Sequence, residues 1–354
     1  MIDAPYDVLK FGGSCLSSGE DFSNAVKIVS RYRNPVVIVS AISGITQRLI
    51  DLCGTMDGAD MMVRIQEIQA THLNVMSKIT KRGAREPSIE ELRKLVQELI
   101  AIATDLKLRD SPERNTLIMS YGERLSAVIM KGYLLSHNLG AQAILSNEII
   151  VAEDENLLEA TVDVNWSREL IRRCVSNQKN EGNIPVITGF FCRTPSGKTA
   201  ILGRNSSDYT AAVVSSSLDG SCLTFWKDVP GLMTGDPKFV KECKVLRQIG
   251  YEDAEGYIRN GARILHGKVI SLSRESRVPI KIKDFRNPDT PGTIIGSPAD
   301  FERDSSQIPE HFHMLTVDFR HHDRYRIQHP VSGGIGKDPV PGLQQFEFDI
   351  VIRG

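Results

Sequence analysis

Apolar residues arrive in short, punctuated runs from the start of this chain. Asp7-Val8-Leu9-Lys10-Phe11 predicts a strand, and Gly12-Gly13-Ser14 ends it. Ser17-Ser18-Gly19-Glu20 has the composition of a helix start, and Phe22, Val26 and Val29 recur three and four residues apart, as one buried helix face requires. Pro35–Ser40 is almost wholly apolar, like a strand covered on both sides of a parallel sheet. The first forty residues therefore spell strand, glycine turn, helix, strand.

From about residue 45 to 108 the pattern is helical. Gly58 and the segment 82–87 predict breaks that leave at least three pieces. A second unit opens at Thr116–Glu123, followed by a helix through Leu134. Further strands are expected at Ala143–Leu145, Ile184–Phe191, Cys222–Trp226 and Val278–Ile282, with a hairpin tip at Thr194–Lys198 and helices at Ser207–Leu218 and Tyr251–Ile258. Strands alternating with helices over nearly the whole length predict an α/β fold with a largely parallel sheet. In such sheets ligands sit at the carboxyl ends of strands, where the first glycine turn lies. Gly292–Pro298 reads as the end of this unit, so the expected domains are 1–297 and a short segment, 298–354. That segment holds His311, His313, His321, His322 and His329, and strand candidates at His313–Phe319 and Phe346–Arg353.

Composition adds limits. The chain has 354 residues, 41% hydrophobic and 25% charged, ordinary values for a globular protein with a real core. Forty-three basic residues against 44 acidic ones provide no electrostatic reason to expect nucleic acid or an anionic membrane as partner. No apolar run approaches the ~20 residues that span a bilayer. The acidic, weakly apolar N-terminus does not read as a signal peptide, and a cytoplasmic protein is the expectation. The six cysteines show no C-x-x-C spacing and are expected to be reduced, small core residues rather than disulfide or zinc partners. The adjacent His321-His322 pair is poor ligand geometry, and no metal-ligating residues are assigned.

Four clusters could carry chemistry. Lys10-Phe11-Gly12-Gly13-Ser14 is a strand-to-helix turn whose N–H groups and lysine suit phosphate oxygens. Gly203–Thr210 contains Arg204, suited to a carboxylate or phosphate, and Asp208, suited either to an ammonium group or to capping the following helix. Trp226–Lys238 is a strand end and loop, and Gly261–His266 places Arg263 near a helix end. Each taken alone also has a purely structural reading. Gly197-Lys198-Thr199 does not complete a P-loop, because position 192 is cysteine where the motif needs glycine.

In this order, however, the clusters resemble the amino acid kinase family, and within it the aspartate kinases. The resemblance covers roughly residues 7–297. It rests on Lys10–Cys15, on Ser40-Ala41-Ile42-Ser43-Gly44-Ile45-Thr46, on Gly122-Glu123, on Gly203–Tyr209, on Lys227–Lys238 and on Gly261–Gly267. It implies a three-layer open, mostly parallel sheet between helices and transfer of phosphate from ATP, with Mg²⁺, to the side-chain carboxylate of L-aspartate. By the same resemblance Lys10 and Asp208 would be catalytic, and Lys10, Gly12, Gly13 and Ser14 would bind phosphate. Ser40, Ala41, Thr46, Glu123, Arg204, Ser207 and Asp208 would bind the amino acid. Lys227, Asp228, Met233, Asp236, Lys238 and Arg263 would line the nucleotide site. The family's usual tandem ACT regulatory modules do not fit into 298–354, which leaves room for at most a partial one. A homodimer is the default expectation. Two alternatives stay open: another small amino acid as acceptor, and a ligand- or partner-binding protein without turnover.

Overall fold

The computed structural model describes residues 5–302, except 56, 110, 204–205, 221, 235–241, 260–264 and 266, together with 316–317 and 327–328. The strand Asp7–Phe11 (β1) passes through a short 3₁₀ turn, Gly13–Cys15, into the helix Gly19–Val29 (α1) and the strand Pro35–Val39 (β2). Four helices follow: Ile45–Cys53 (α2), Gly58–Met76 (α3), Arg82–Thr104 (α4) and Pro112–Ser136 (α5). Then come Ala141–Ile144 (β3), Ser146–Ile149 (α6), Val164–Asn180 (α7), Ile184–Thr188 (β4), the hairpin Phe191–Arg193 (β5) and Thr199–Ile201 (β6), and Ser207–Ser217 (α8). The unit closes with Cys222–Lys227 (β7), Gln248–Gly250 (β8), Tyr251–Arg259 (α9), Gly267–Ser276 (α10), Ile280–Asp284 (β9), Thr293–Gly296 (β10) and Pro298–Glu302 (α11). Beyond it, Thr316–Val317 pairs antiparallel with Ile327–Gln328, inside or beside the predicted strand 313–319. The candidate at 346–353 lies outside the described residues.

Eight strands form one sheet in the order β3-β4-β2-β1-β7-β9-β10-β8. All neighbouring pairs are parallel except β9 with β10. Period-two alternation splits the core. Leu9, Phe11, Val37 and Val39 face the layer of α1 to α5. Val8, Val36 and Ile38 face the layer that contains α7, α8 and α10. Helices on both faces are why all five residues of β2 are buried. After β1 the chain moves to β2 on one side, and after β7 it moves to β8 and β9 on the other. The crevice of this open sheet therefore lies at the carboxyl ends of β1 and β7.

Three expectations need correcting. Residues 82–87 do not break the helical region; the break falls at 77–81, and Pro87 sits inside α4. Both Pro87 and Gly83, whose carbonyl loses its N–H partner, are exposed, so solvent can satisfy that carbonyl. Thr116–Glu123 does not open a unit but lies within α5, which is capped by Ser111 accepting from the Arg114 N–H at 3.1 Å, with Pro112 in its first turn. Seventeen residues of α5 are buried, polar ones such as Arg114, Ser120 and Glu123 among them, so a helix covered on nearly every side hides its period. Finally, Ile184–Phe191 is two strands separated by Gly189-Phe190, and Phe190 takes φ 78°. The cysteines are free as expected, but only Cys15 and Cys192 are fully buried.

Candidate active site

Alternation along β1 turns Lys10 to the same face as Val8, toward α8, at the carboxyl end of the strand. There its Nζ stands 2.6 Å from Oδ1 of Asp208, in the first turn of α8, with both side chains buried. The second carboxylate oxygen accepts from Lys227 Nζ at 3.0 Å. Lys227 ends β7, where its carbonyl accepts from the Phe285 N–H at 2.8 Å and its ammonium lies 5.7 Å from the Phe225 ring. Burial opposes ionisation of Asp208, but the two lysines outweigh it and hold the carboxyl below its usual range. Burial pulls the Lys227 ammonium down, and the nearby Lys10 adds to that while Asp208 opposes it.

The glycine turn meets this cluster from below. The Gly12 N–H donates to the Trp226 carbonyl at 3.3 Å, which ties β1 to β7 at their tips. Gly13 and Ser14 begin the 3₁₀ turn, so their N–H groups have no acceptor within it. A Cβ on Gly12 would meet nothing closer than 3.7 Å and would stand 3.7 Å from Lys10 Nζ and 3.8 Å from Ser14 Oγ. Its absence leaves open the space that faces the ammonium. A Cβ on Gly13 would come within 2.9 Å of the Ala41 carbonyl, so here glycine is needed for the turn to pack on the segment after β2.

Glu123 approaches from the opposite layer, on α5. Its Oε1 accepts from the Ala41 N–H at 3.1 Å, whereas Oε2 is buried with no partner. Burial is the main influence and pushes the carboxyl up to about 8, against the pull of the Ala41 amide, Lys10 and Ser207. Gly122 allows this approach, since a Cβ there would lie 2.7 Å from that of Ala41. The crevice thus combines two ammonium groups, one ionised carboxylate and one carboxyl with an empty oxygen. Such a set suits a polyanion beside an ammonium-bearing ligand.

The other predicted residues distribute as follows. Ser40 follows β2 and donates its N–H to the Phe11 carbonyl at 3.4 Å. Thr46 is in the first turn of α2, which starts after Gly44 at φ 81°. Asp228 is exposed just past β7, and Met233 makes an isolated bridge with Val245. Arg204, Asp236, Lys238 and Arg263 lie outside the described residues. Sequence reasoning missed Gly189. A Cβ there would fall 2.5 Å from Ser207 Cβ, so this glycine lets α8 bring Asp208 to the crevice. The available signal was a glycine interrupting an apolar strand run.

The model of the amino acid kinase family matches residues 7–284. A bifunctional aspartokinase/homoserine dehydrogenase of Buchnera aphidicola is 30% identical over 303 residues, 81% of this chain and 36% of that protein. The lysine-sensitive aspartokinase 3 of Escherichia coli is 26% identical over 81% of this chain and 63% of its own length. The crystal structure of E. coli aspartokinase III in complex with aspartate and ADP superposes with a TM-score of 0.77 at 25% identity, over 82% of this chain and 64% of that one. The chain thus spans between about a third and two thirds of the length of these relatives.

Proposed function

This chain belongs to the amino acid kinase family, and from that premise we propose that it transfers the γ-phosphoryl group of ATP to the side-chain carboxylate of L-aspartate, yielding 4-phospho-L-aspartate and ADP. The observation that carries the reading is the buried Lys10–Asp208 pair beside an open glycine turn, facing the unpartnered oxygen of Glu123. The likeness to a chain solved with aspartate and ADP supports both substrates.

A carboxylate is a nucleophile at neutral pH. Its oxygen forms a bond to the γ-phosphorus, the bond to the β,γ-bridging oxygen breaks, and ADP keeps the electron pair. No proton transfer is needed, so the barrier is repulsion between anions, and the protein's contribution is position and charge. Lys10 with the Gly13 and Ser14 N–H groups would face the transferred group. Glu123 would receive the substrate ammonium on Oε2, ionising as it does so. We assign this task to Glu123 rather than Asp208, because both Asp208 oxygens already meet lysines.

Ser40, Ala41, Thr46 and Ser207 would line the amino-acid pocket, with Arg204 on the α-carboxylate. Asp228, Met233, Asp236, Lys238 and Arg263 would border the nucleotide, as family resemblance implies. Among the described residues no three acidic, imidazole or thiol groups cluster. Mg²⁺ would enter bound to the phosphate oxygens of ATP and would keep several of its waters. Residues 298–354 are read as a short segment outside the catalytic unit, and the active species as a homodimer, which light scattering tests. Among the described residues no helix is long and apolar enough to cross a membrane.

Incubation with ATP, aspartate and hydroxylamine should yield aspartyl hydroxamate. Near wild-type turnover by Lys10→Ala would refute the mechanism.

A further inference from the structure

Outside the lysine crevice, one buried carboxylate has no task in the chemistry proposed so far. Asp21 lies in the first turn of α1, and only 3% of its side chain is exposed. Its Oδ2 accepts from the Ser17 N–H at 3.2 Å and from the Ser17 hydroxyl at 2.5 Å, and its Oδ1 accepts from Arg286 Nη1 at 2.5 Å. Burial opposes ionisation, but the Ser17 hydroxyl and Arg286 outweigh it and hold the carboxyl below its usual range. Capping alone does not call for the arginine, because Ser18 already caps α1 by accepting from the Asp21 N–H at 3.2 Å. Arg286 stands two positions past β9, on the carboxyl edge of the sheet. Local contacts set it there. Its N–H donates to Asp284 at 2.8 Å, and its guanidinium lies 5.5 Å from the Phe285 ring. The Phe285 N–H donates to the Lys227 carbonyl, and the Phe285 carbonyl accepts from Asn24 of α1 at 2.9 Å.

These bonds end on the phosphate turn. Gly12 is tied to Trp226 at one end of it, and Ser17 is tied to Asp21 at the other. Gly13 and Ser14, whose N–H groups have no acceptor within the 3₁₀ turn, are suspended between these two anchors. We infer that Asp21 and Arg286 form a clasp that fastens the far end of the phosphate turn to the loop after β9, so that its N–H groups are aimed before ATP arrives. Both are positioning residues that act through Ser17. The inference rests on the phosphoryl-transfer reading above and deepens it. Without the clasp ATP itself must order the turn, and part of its binding energy is consumed in doing so. The deficit falls on ATP and not on aspartate.

Hydrogen exchange and calorimetry test this without reference to the acceptor. Arg286 is 56% exposed, so Arg286→Met should fold. In the ligand-free variant the Cys15, Leu16 and Ser17 amides should exchange roughly tenfold faster, while Leu9 and Phe11 in β1 keep the wild-type rate. A non-hydrolysable ATP analogue with Mg²⁺ should bind the variant roughly tenfold more weakly and, at saturation, return those three amides toward wild-type protection. In steady-state kinetics KM for ATP should rise by a similar factor, with KM for aspartate little altered. Arg286→Lys should recover most of the affinity. Asp21→Asn should reproduce the loss, and the double variant should be no worse than either single one, since each breaks the same link. A lowered melting temperature with affinity for the analogue intact, or exchange that quickens along all of α1 and leaves that affinity alone, would make the pair a structural tie and overturn the inference. Failure of the wild-type protein to bind the analogue would instead tell against phosphoryl transfer itself, and the ligand-free exchange comparison would still decide whether the clasp orders the turn.

Discussion

Glu123 offers the sharpest test of the site's electrostatics. An ordinary glutamate loses its proton near 4.5, whereas burial on α5 pushes Glu123 up to about 8. Between those values the folded protein keeps a proton that the unfolded chain has released. Folding stability must therefore fall as pH rises from 4.5 and level off above 8. At about 1.36 kcal/mol for each pH unit, the loss attributable to this group is about 3 kcal/mol by pH 7 and about 5 kcal/mol by pH 8. Glu123→Gln preserves the shape and can still accept from the Ala41 N–H, but it cannot ionise. The assay is urea denaturation of both proteins from pH 5 to 9. The difference between the two curves should grow by several kcal/mol toward alkaline pH, with Gln the more stable. Saturating aspartate should shrink that difference, because its ammonium group would compensate the ionised carboxylate. Parallel curves across the whole range would refute the reasoning: Glu123 would then be ionised throughout, and its Oε2 would not be the empty acceptor that the proposed binding mode requires.

Two further predictions concern the helical layer. Arg114 is buried and donates to the Ala103 carbonyl at 2.9 and 3.3 Å and to the Cys53 carbonyl at 3.1 Å, at the ends of α4 and α2; Arg114→Met should cost about 3 kcal/mol in urea denaturation, since it strands carbonyls where the helix dipoles favour a cation. His72 is buried in α3 with Nδ1 2.7 Å from the Ile68 carbonyl and Nε2 unpartnered, and burial lowers it to about 4. Its unfolded form takes up a proton near 6.5, so stability should drop by up to about 3 kcal/mol as pH falls from 6.5 to 4; His72→Leu should flatten that acid limb, and an unchanged limb in denaturation at pH 5 would contradict this account.

What could be read from the sequence follows from how each residue is used. β1, α1 and β2 announce themselves because, Lys10, Gly19 and Asp21 apart, every buried position there is apolar, and glycine and serine punctuate the turn between β1 and α1. α7 escaped, because its buried stripe is only Ser167, Ile171 and Val175 in seventeen largely polar residues. Its N-cap, Asp163, accepting from the Trp166 N–H at 2.9 Å, was the readable trace. α5 was misdivided for the opposite reason, since a helix buried almost all round has no stripe. At the site, Lys10 and the glycine turn were legible as local chemistry. The Lys227–Asp208 contact was not, because it joins the end of β7 to the first turn of α8 and neither segment alone implies the other. Nor does any local pattern show that one oxygen of Glu123 would be left empty; that depends on where Ala41 meets α5.

The bond from the Gly12 N–H to the Trp226 carbonyl makes the tips of β1 and β7 one stiff platform, while Glu123 and Asp208 lean over it from helices in opposite layers. Under the proposed function, recognition and chemistry are thereby entrusted to different parts of the scaffold. Substitutions along α5 or around Thr46 can reshape the amino-acid pocket and leave the platform untouched, so a lineage built on this frame is free to change which acceptor it phosphorylates without reinventing how it does so.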